Sequence, residues 1–313
     1  MISRMKSAGV ALACAIAACS GPASETEADG GAQPRVESDA VVVFTTSYPL
    51  AYFAGRIGGD RVRVEFPAPA GIDPAYWSPS PEDVAAYQVA DVVLLNGAGY
   101  EGWVAKTSLP DSKLVNTSAG FEDMYIVSEE AVVHTHGPAG EHEHENLAFT
   151  TWLDPVLAIE QARAIRDALA AQLPGAEADL QEGFVALETD LTDIDARLAA
   201  WAADHAGQPL LGSHPVYQYL ARRYDLNLRS VHFEPDEMPT AAGRRDLAAR
   251  LESHTAEWML WEATPLDETR QLLAGEYGVG SVVFDPCGNR PESGDYISVM
   301  RANVEALEAL PAI

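Results

Sequence analysis

"TTSYPLAYFAGRIGGDRVRVEF" (residues 45–66) and "LGSHPVYQYLARRYDLNLRSVHF" (residues 211–233) decide the fold. Each runs from the end of an apolar segment through a serine, a ring-bearing residue and a proline into an amphipathic stretch, and then into a second segment of strand character. Proline suits the first turn of a helix, where its missing N–H is not needed. Similar strand–helix–strand units in both halves of a chain point to two similar α/β lobes. In open α/β sheets ligands sit beyond the carboxyl ends of the strands, where Tyr48 and His214 fall, so we expect a cleft between the lobes.

The rhythm continues outward from both units. In the first half the apolar runs are "VVVFTT", "RVRVEF", "DVVLLN" and "KLVNTS", separated by the helical patterns "PLAYFAGRIGG", "PEDVAAYQVA" and "EGWVAK". In the second half "PLLGSH", "LNLRSVHF", "EWMLWE" and "SVVFDP" follow, closing with "GDYISVMRANVEALEAL". Apolar strands separated by helices indicate parallel sheets covered on both faces. Between about residues 155 and 206 there is no strand signal. Apolar residues at helical spacing in "DPVLAIEQARAIRDALAAQL" and "AEADLQEGFVALETDLTDIDARLAAWAADH" predict two helices, the second unusually long. The expected fold is α/β, two similar lobes with parallel sheets (41–154 and 207–313) joined by a long rigid helix within the linking segment 155–206.

The start of the chain speaks for export. "MISRMKSAGVALACAIAAC" has a cationic beginning (Arg4, Lys6), an apolar run and small residues leading to Cys19, a secretory signal too short for a stable membrane span. "IAAC" resembles a lipoprotein box, which implies a signal peptide over residues 1–18 and a lipidated Cys19. Residues 19–40 are rich in small, acidic and turn-forming types and read as a flexible tether. Losing Arg4 and Lys6 with the signal takes the formal charge from −27 to −29, which argues against nucleic acid or anionic membrane as a partner and favours cations. With Cys14 removed and Cys19 lipidated, Cys287 is left without a disulfide partner.

"HTHGPAGEHEHE" (residues 134–145) holds four of the eight histidines, His134, His136, His142 and His144. Imidazoles two apart in an extended segment can face one ion, but a loop broken by glycine and proline supplies no fixed tetrahedral geometry. We read it as an accessory collector of metal.

"SYPLAYFAGRIGGDRVRVEFPAPAGIDPAYWSPSPEDVAAYQVADVVLLNGAGYEGWV", "TWLDPVLA", "LGSHPVYQYLARRYDL" and "GDYISVMRANVEAL" together resemble the periplasmic zinc- and manganese-binding solute-binding lipoproteins of metal ABC importers, in the same order from about Val41 to the end. The resemblance implies two α/β lobes with a long helix between them, an ion in the cleft and often a histidine-rich loop before that helix. It further implies delivery of the ion to an ABC permease in the inner membrane, a monomer anchored by lipid in the periplasm, and no catalysis. The resemblance also implies histidines where this chain has Ala75, in "GIDPAYWSPSP", and Thr150, in "AFTTWLDP". From the second lobe, His214 in "GSHP" and Asp285 in "VVFDP" match the implied ligands.

Two ligands rarely hold a divalent ion specifically. Acidic groups of the same lobe are one completion, Glu234 in "HFEPDE" (with Asp236, Glu237 and His232 near it in sequence) and Glu262 closing "EWMLWE", and more oxygen donors move preference from zinc towards manganese or iron. A second is entry of His142 or His144 into the vacant place; a third is a cleft that binds something else. Asp154 in "LDPV" reads as a helix cap, and Tyr76 and Trp77 as core or cleft lining.

Ser213, His214 and Asp285 hold the letters of a triad, but adjacent Ser and His point apart and no nucleophile elbow is present. HExxH, phosphate-binding glycine loops and paired-cysteine zinc motifs are absent too. The expected function is therefore capture of a divalent ion, zinc first with manganese or iron as alternatives, for import. The rivals are a metal chaperone or sensing lipoprotein, and a family member that binds a different ligand.

Overall fold

The computed structural model describes residues 40–127 and 147–311. Cys19 and the histidine-rich loop, with His134, His136, His142 and His144, lie outside the described residues.

Two four-stranded sheets carry the chain, and every pairing in them is parallel. The first contains β1 (Val41–Thr45), β2 (Val62–Glu65), β3 (Val92–Leu95) and β4 (Leu114–Asn116), in the order β2-β1-β3-β4. In the second, β5 (Leu210–Gly212), β6 (Leu228–Ser230), β7 (Trp258–Trp261) and β8 (Gly280–Val283) take the order β6-β5-β7-β8. The two orders are the same, as the repeated unit predicts.

The helices differ more. In the first lobe α1 (Tyr48–Gly58) begins at the ring-bearing residue itself, with Pro49 in its first turn. In the second lobe Val216 N–H donates to the His214 carbonyl at 2.9 Å, so Pro215 sits in a turn and α5 starts only at Gln218 (Gln218–Tyr224). The helical pattern of "EGWVAK" becomes a single 3-10 turn, Val104–Lys106, preceded by Trp103, which is buried with its ring 5.0 Å from that of Tyr87. α2 (Pro81–Val89) is capped by Ser80, whose hydroxyl accepts from Asp83 N–H while the Asp83 carboxylate accepts from Ser80 N–H.

Linkage is by α3 (Pro155–Gln172) and α4 (Glu177–Asp204). Asp154 caps α3 by accepting from Val156 N–H and Leu157 N–H. α4 has 28 residues, about 42 Å at the helical rise. Its buried stripe, Leu180, Phe184, Leu187, Leu191, Ile194, Leu198 and Trp201, repeats at three- and four-residue steps. That stripe joins one apolar cluster containing Val43, Leu94 and Phe53 of the first lobe and Leu210, Leu260 and Met300 of the second. Asp190 of α4 accepts from Arg56 of α1 at 2.8 Å and from Arg301 of α8 (Tyr296–Glu308) at 2.9 Å. Gly183 lets α1 approach closely: a Cβ there would stand 2.7 Å from the Arg56 carbonyl oxygen.

The second lobe is completed by α6 (Ala241–Ser253) and α7 (Asp267–Leu272). α6 buries only Leu247, so its sequence carries little helical periodicity to read.

Candidate metal centre

Four donors of the second lobe stand just past the carboxyl ends of its four strands: His214 after β5, Glu234 after β6, Glu262 after β7 and Asp285 after β8. His214 is buried, with its Nδ1 3.2 Å from a Glu262 oxygen and its Nε2 3.3 Å from a Glu234 oxygen. Two donors each about 2.1 Å from one ion at a tetrahedral angle lie roughly 3.4 Å apart, so either pair has the separation of two ligands sharing an ion. Among the described residues no three His, Cys, Asp or Glu side chains are gathered into a formed metal site; the donors are paired with one another across the two ring nitrogens.

Electrostatics distinguish the two sides. Burial works against a charge on His214, but the hydrogen bond to Glu262 and the charges of Glu262 and Glu234 outweigh it and hold its pKa above the ordinary imidazole value. Asp285 is pushed up by burial and by Glu262, against a 2.6 Å hydrogen bond from Cys287 N–H that favours the carboxylate. Glu262 also acts on Tyr217 and Tyr76. It is thus the hub of the carboxylates, whereas Glu234 stands half-exposed on the far side of the ring. Glu262, by raising the pKa of Asp285, marks a surplus of negative charge here, which a divalent cation relieves.

Among its described residues the first lobe brings no histidine. Ala75 is half-buried in the loop between β2 and α2, its N–H donating to Asp73 Oδ1 at 2.9 Å. Thr150 is buried and its hydroxyl donates to the Val216 carbonyl at 2.5 Å, binding one lobe to the other. Tyr76 and Asp73, in contrast, lie within electrostatic reach of Glu262 of the second lobe. Both are exposed to solvent yet surrounded by protein, as on the wall of a cleft. Burial, Asp73, Glu262 and Glu234 together push the Tyr76 phenol up to about 12. Trp77 turns away and packs edge-on against Trp103. Asp73 went unnoticed in the sequence, where only its position before a proline in a strand-end loop offered a signal.

The remaining histidines divide cleanly. His254 Nε2 lies 2.8 Å from the Leu210 carbonyl and His205 stacks on Trp201, both parts of the scaffold. His232 lies edge-on to His214, ring centres 5.6 Å apart.

This fold agrees with comparison to known proteins. Residues 43–310 match the family model described as zinc-uptake complex component A, periplasmic. The chain belongs to that family. Its members are transport components, not enzymes. Among relatives, the zinc-binding lipoprotein AdcA of Streptococcus pneumoniae (strain ATCC BAA-255 / R6) is 30% identical over 276 residues, 85% of this chain and 55% of the relative. The high-affinity zinc uptake system protein ZnuA of Bacillus subtilis (strain 168) is 28% identical over 303 residues, 94% of this chain and 92% of the relative. The chain thus spans about half the length of the streptococcal relatives it matches. Zn(II)-bound AdcA from S. pneumoniae superposes with a TM-score of 0.72 at 27% identity, covering 86% of this chain and 57% of that one. The metal-dependent lipoprotein YcdH of B. subtilis shares the fold with a TM-score of 0.73 at 24% identity, covering 86% and 98%.

Proposed function

We propose that the chain is the extracytoplasmic solute-binding component of an ABC importer and that it takes a divalent ion, zinc foremost, in the cleft between its lobes. His214 and Glu262 hold the ion together with Asp285. Glu234 accepts from the other ring nitrogen and fixes the imidazole, the supporting role that carboxylates commonly play behind a metal-bound histidine. The observation that carries this reading is the placement of one donor just past the end of every strand of a single sheet, with two of them, Glu262 and Glu234, paired with His214. The family's description as a zinc-uptake component and the zinc named for its relatives support the cargo.

Around that site the acidic surface and His134, His136, His142 and His144 raise the local cation concentration. Cys19 anchors the exported chain to the membrane, the protein acts as a monomer, and the permease in the inner membrane receives the ion. Manganese or iron would be favoured over zinc only to the extent that carboxylates outnumber imidazoles at the ion.

Calorimetric titration of Zn²⁺ and Mn²⁺ into the parent, into His214→Ala and into a variant lacking residues 134–145 tests the assignment. His214→Ala should weaken tight binding by at least the roughly 100-fold that bounds the loss of a supporting residue, and the loop deletion should leave it in place. Tight binding that survives His214→Ala and disappears with the loop would place the ion in the loop instead.

A further inference from the structure

The side chain of Asn289 fastens the loop between β2 and α2 to the second lobe. Asn289 Nδ2 donates to the Pro69 carbonyl and to the Ile72 carbonyl, each at 2.7 Å. Asn289 lies four residues beyond Asp285, in a loop that also accepts from Tyr48 N–H through the Gly288 carbonyl at 3.0 Å and from Trp152 Nε1–H through the Pro286 carbonyl at 2.7 Å. The segment that bears one candidate ligand is therefore the segment that grips the first lobe.

The grip fixes the backbone immediately before Asp73. Asp73 Oδ1 accepts from Ala75 N–H, a turn that an aspartate before proline commonly makes, and Oδ2 has no hydrogen bond among the described residues. The carboxylate lies within electrostatic reach of Glu262 and His214 across the cleft, which act on it in opposite directions. Burial and Glu262 raise its pKa, against the Ala75 hydrogen bond and His214. The hydroxyl of Tyr100, a residue only 2% exposed, has no hydrogen-bond partner among the described residues; burial raises its pKa well above the ordinary value, and Asp73 and then Glu101 add to the rise. A buried donor left without an acceptor is costly unless something fills the space, and an ion with its water would do so.

We propose that Asp73 is the first lobe's ligand to the ion, meeting His214, Glu262 and Asp285 across the cleft, and that Asn289 is the positioning residue that holds it there. The proposal rests on the cleft being the ion site. It gives that site a donor from each lobe, so that binding joins the lobes, and it makes the set one imidazole and three carboxylates. Such a set is harder than one built on several histidines, so zinc should be separated from manganese less sharply than by a histidine-rich site.

The test uses the full chain, titrated with Zn²⁺ and with Mn²⁺ against a competing chelator, in the parent, Asp73→Asn, Asn289→Ala, the double variant and His214→Ala. Asp73→Asn keeps the oxygen that accepts from Ala75 N–H and removes the anionic donor. It should weaken both ions at least tenfold, shrink the rise in Tm that each ion produces and, by relieving repulsion from Glu262, not lower the Tm of the ion-free protein. Asn289→Ala should weaken binding less, and the double variant should be no weaker than Asp73→Asn, since a residue that acts only through Asp73 has nothing to position once Asp73 is gone. Additive losses in the double variant overturn the role of Asn289. Parent-like affinity in Asp73→Asn, with affinity lost in His214→Ala, overturns Asp73 as a ligand and leaves the cleft site standing. Parent-like affinity in both variants removes the ion from the cleft altogether.

Discussion

The two sheets have the same strand order, and their registers allow the lobes to be compared residue by residue. With Ser47 set against Ser213, the pairings Thr45–Leu94–Val115 in one sheet correspond to Leu211–Met259–Ser281 in the other. Tyr48 then stands where His214 does, Gly97 where Glu262 does and Ala119 where Asp285 does. Following Phe44–Glu65 and Leu210–Leu228 to the outer strands sets Gly71 against Glu234. Every strand end that carries a donor in the second lobe carries a glycine, an alanine or a tyrosine in the first. A parallel sheet fixes where its strands end but not what stands there, so one scaffold supports a donor-rich lobe and a donor-poor one.

The first lobe uses the same region for its own stability. The Tyr48 ring packs against Tyr52 and Phe66. Glu101 turns inward and accepts from Thr46 Oγ1 and Asn96 N–H at 2.5 Å and from Gly97 N–H at 3.1 Å. It is a carboxylate near a cleft that nevertheless serves as an internal cap for the β3 turn. Burial pushes its pKa up to about 7, despite those hydrogen bonds.

Substitutions can break or sharpen this contrast. The largest effect should come from separating the two carboxylates of His214. Glu262→Gln is expected to cost on the order of 100-fold in affinity for Zn²⁺ and Glu234→Gln about tenfold, the two ends of the range for groups at or behind a ligand. Equal losses in competition titrations would erase the distinction between hub and support. Next in size is a gain: Ala75→His, which returns an imidazole to the first lobe, should tighten Zn²⁺ about tenfold while Mn²⁺, which prefers oxygen donors, changes little. No gain for either ion would mean that the loop holds position 75 away from the cleft.

Glu101→Gln should leave affinity for both ions unchanged and alter only the response of stability to pH. A carboxyl group whose folded pKa is raised from 4.5 to about 7 binds its proton more tightly folded than unfolded. The parent therefore loses stability as pH rises from about 4.5 to about 7, and the variant lacks that loss. Full expression amounts to on the order of 3 kcal/mol. Melting curves of the ion-free proteins between pH 5 and 8 should converge at the acidic end and separate at the basic end, the variant being the more stable there. Parallel curves would show that Glu101 is already ionised throughout.

Much of this was legible in the chain itself. The apolar runs that became β1, β3 and β7 are nearly continuous, because a strand covered on both faces has no polar side to write into the pattern. His214 and Asp285 could be named as candidates from the "GSHP" and "VVFDP" signatures, and Glu262 from its place at the end of "EWMLWE". α6 was not legible because a helix that buries one leucine leaves almost no period. Asp73 and Asn289 were not legible for a different reason. Asn289 bonds to carbonyls more than 200 residues away, and the role proposed for Asp73 likewise depends on groups of the opposite lobe; no local spacing encodes such a meeting.

The apolar stripe of α4 belongs to the interior of both halves, and the described residues form one unit in space. Loosening either half would strip water-shy surface from the other, so neither can melt by itself and heat should dissolve the molecule in one cooperative step. An ion held at the strand ends of one half consequently shields the whole body from unfolding, including the half that contributes few of its ligands.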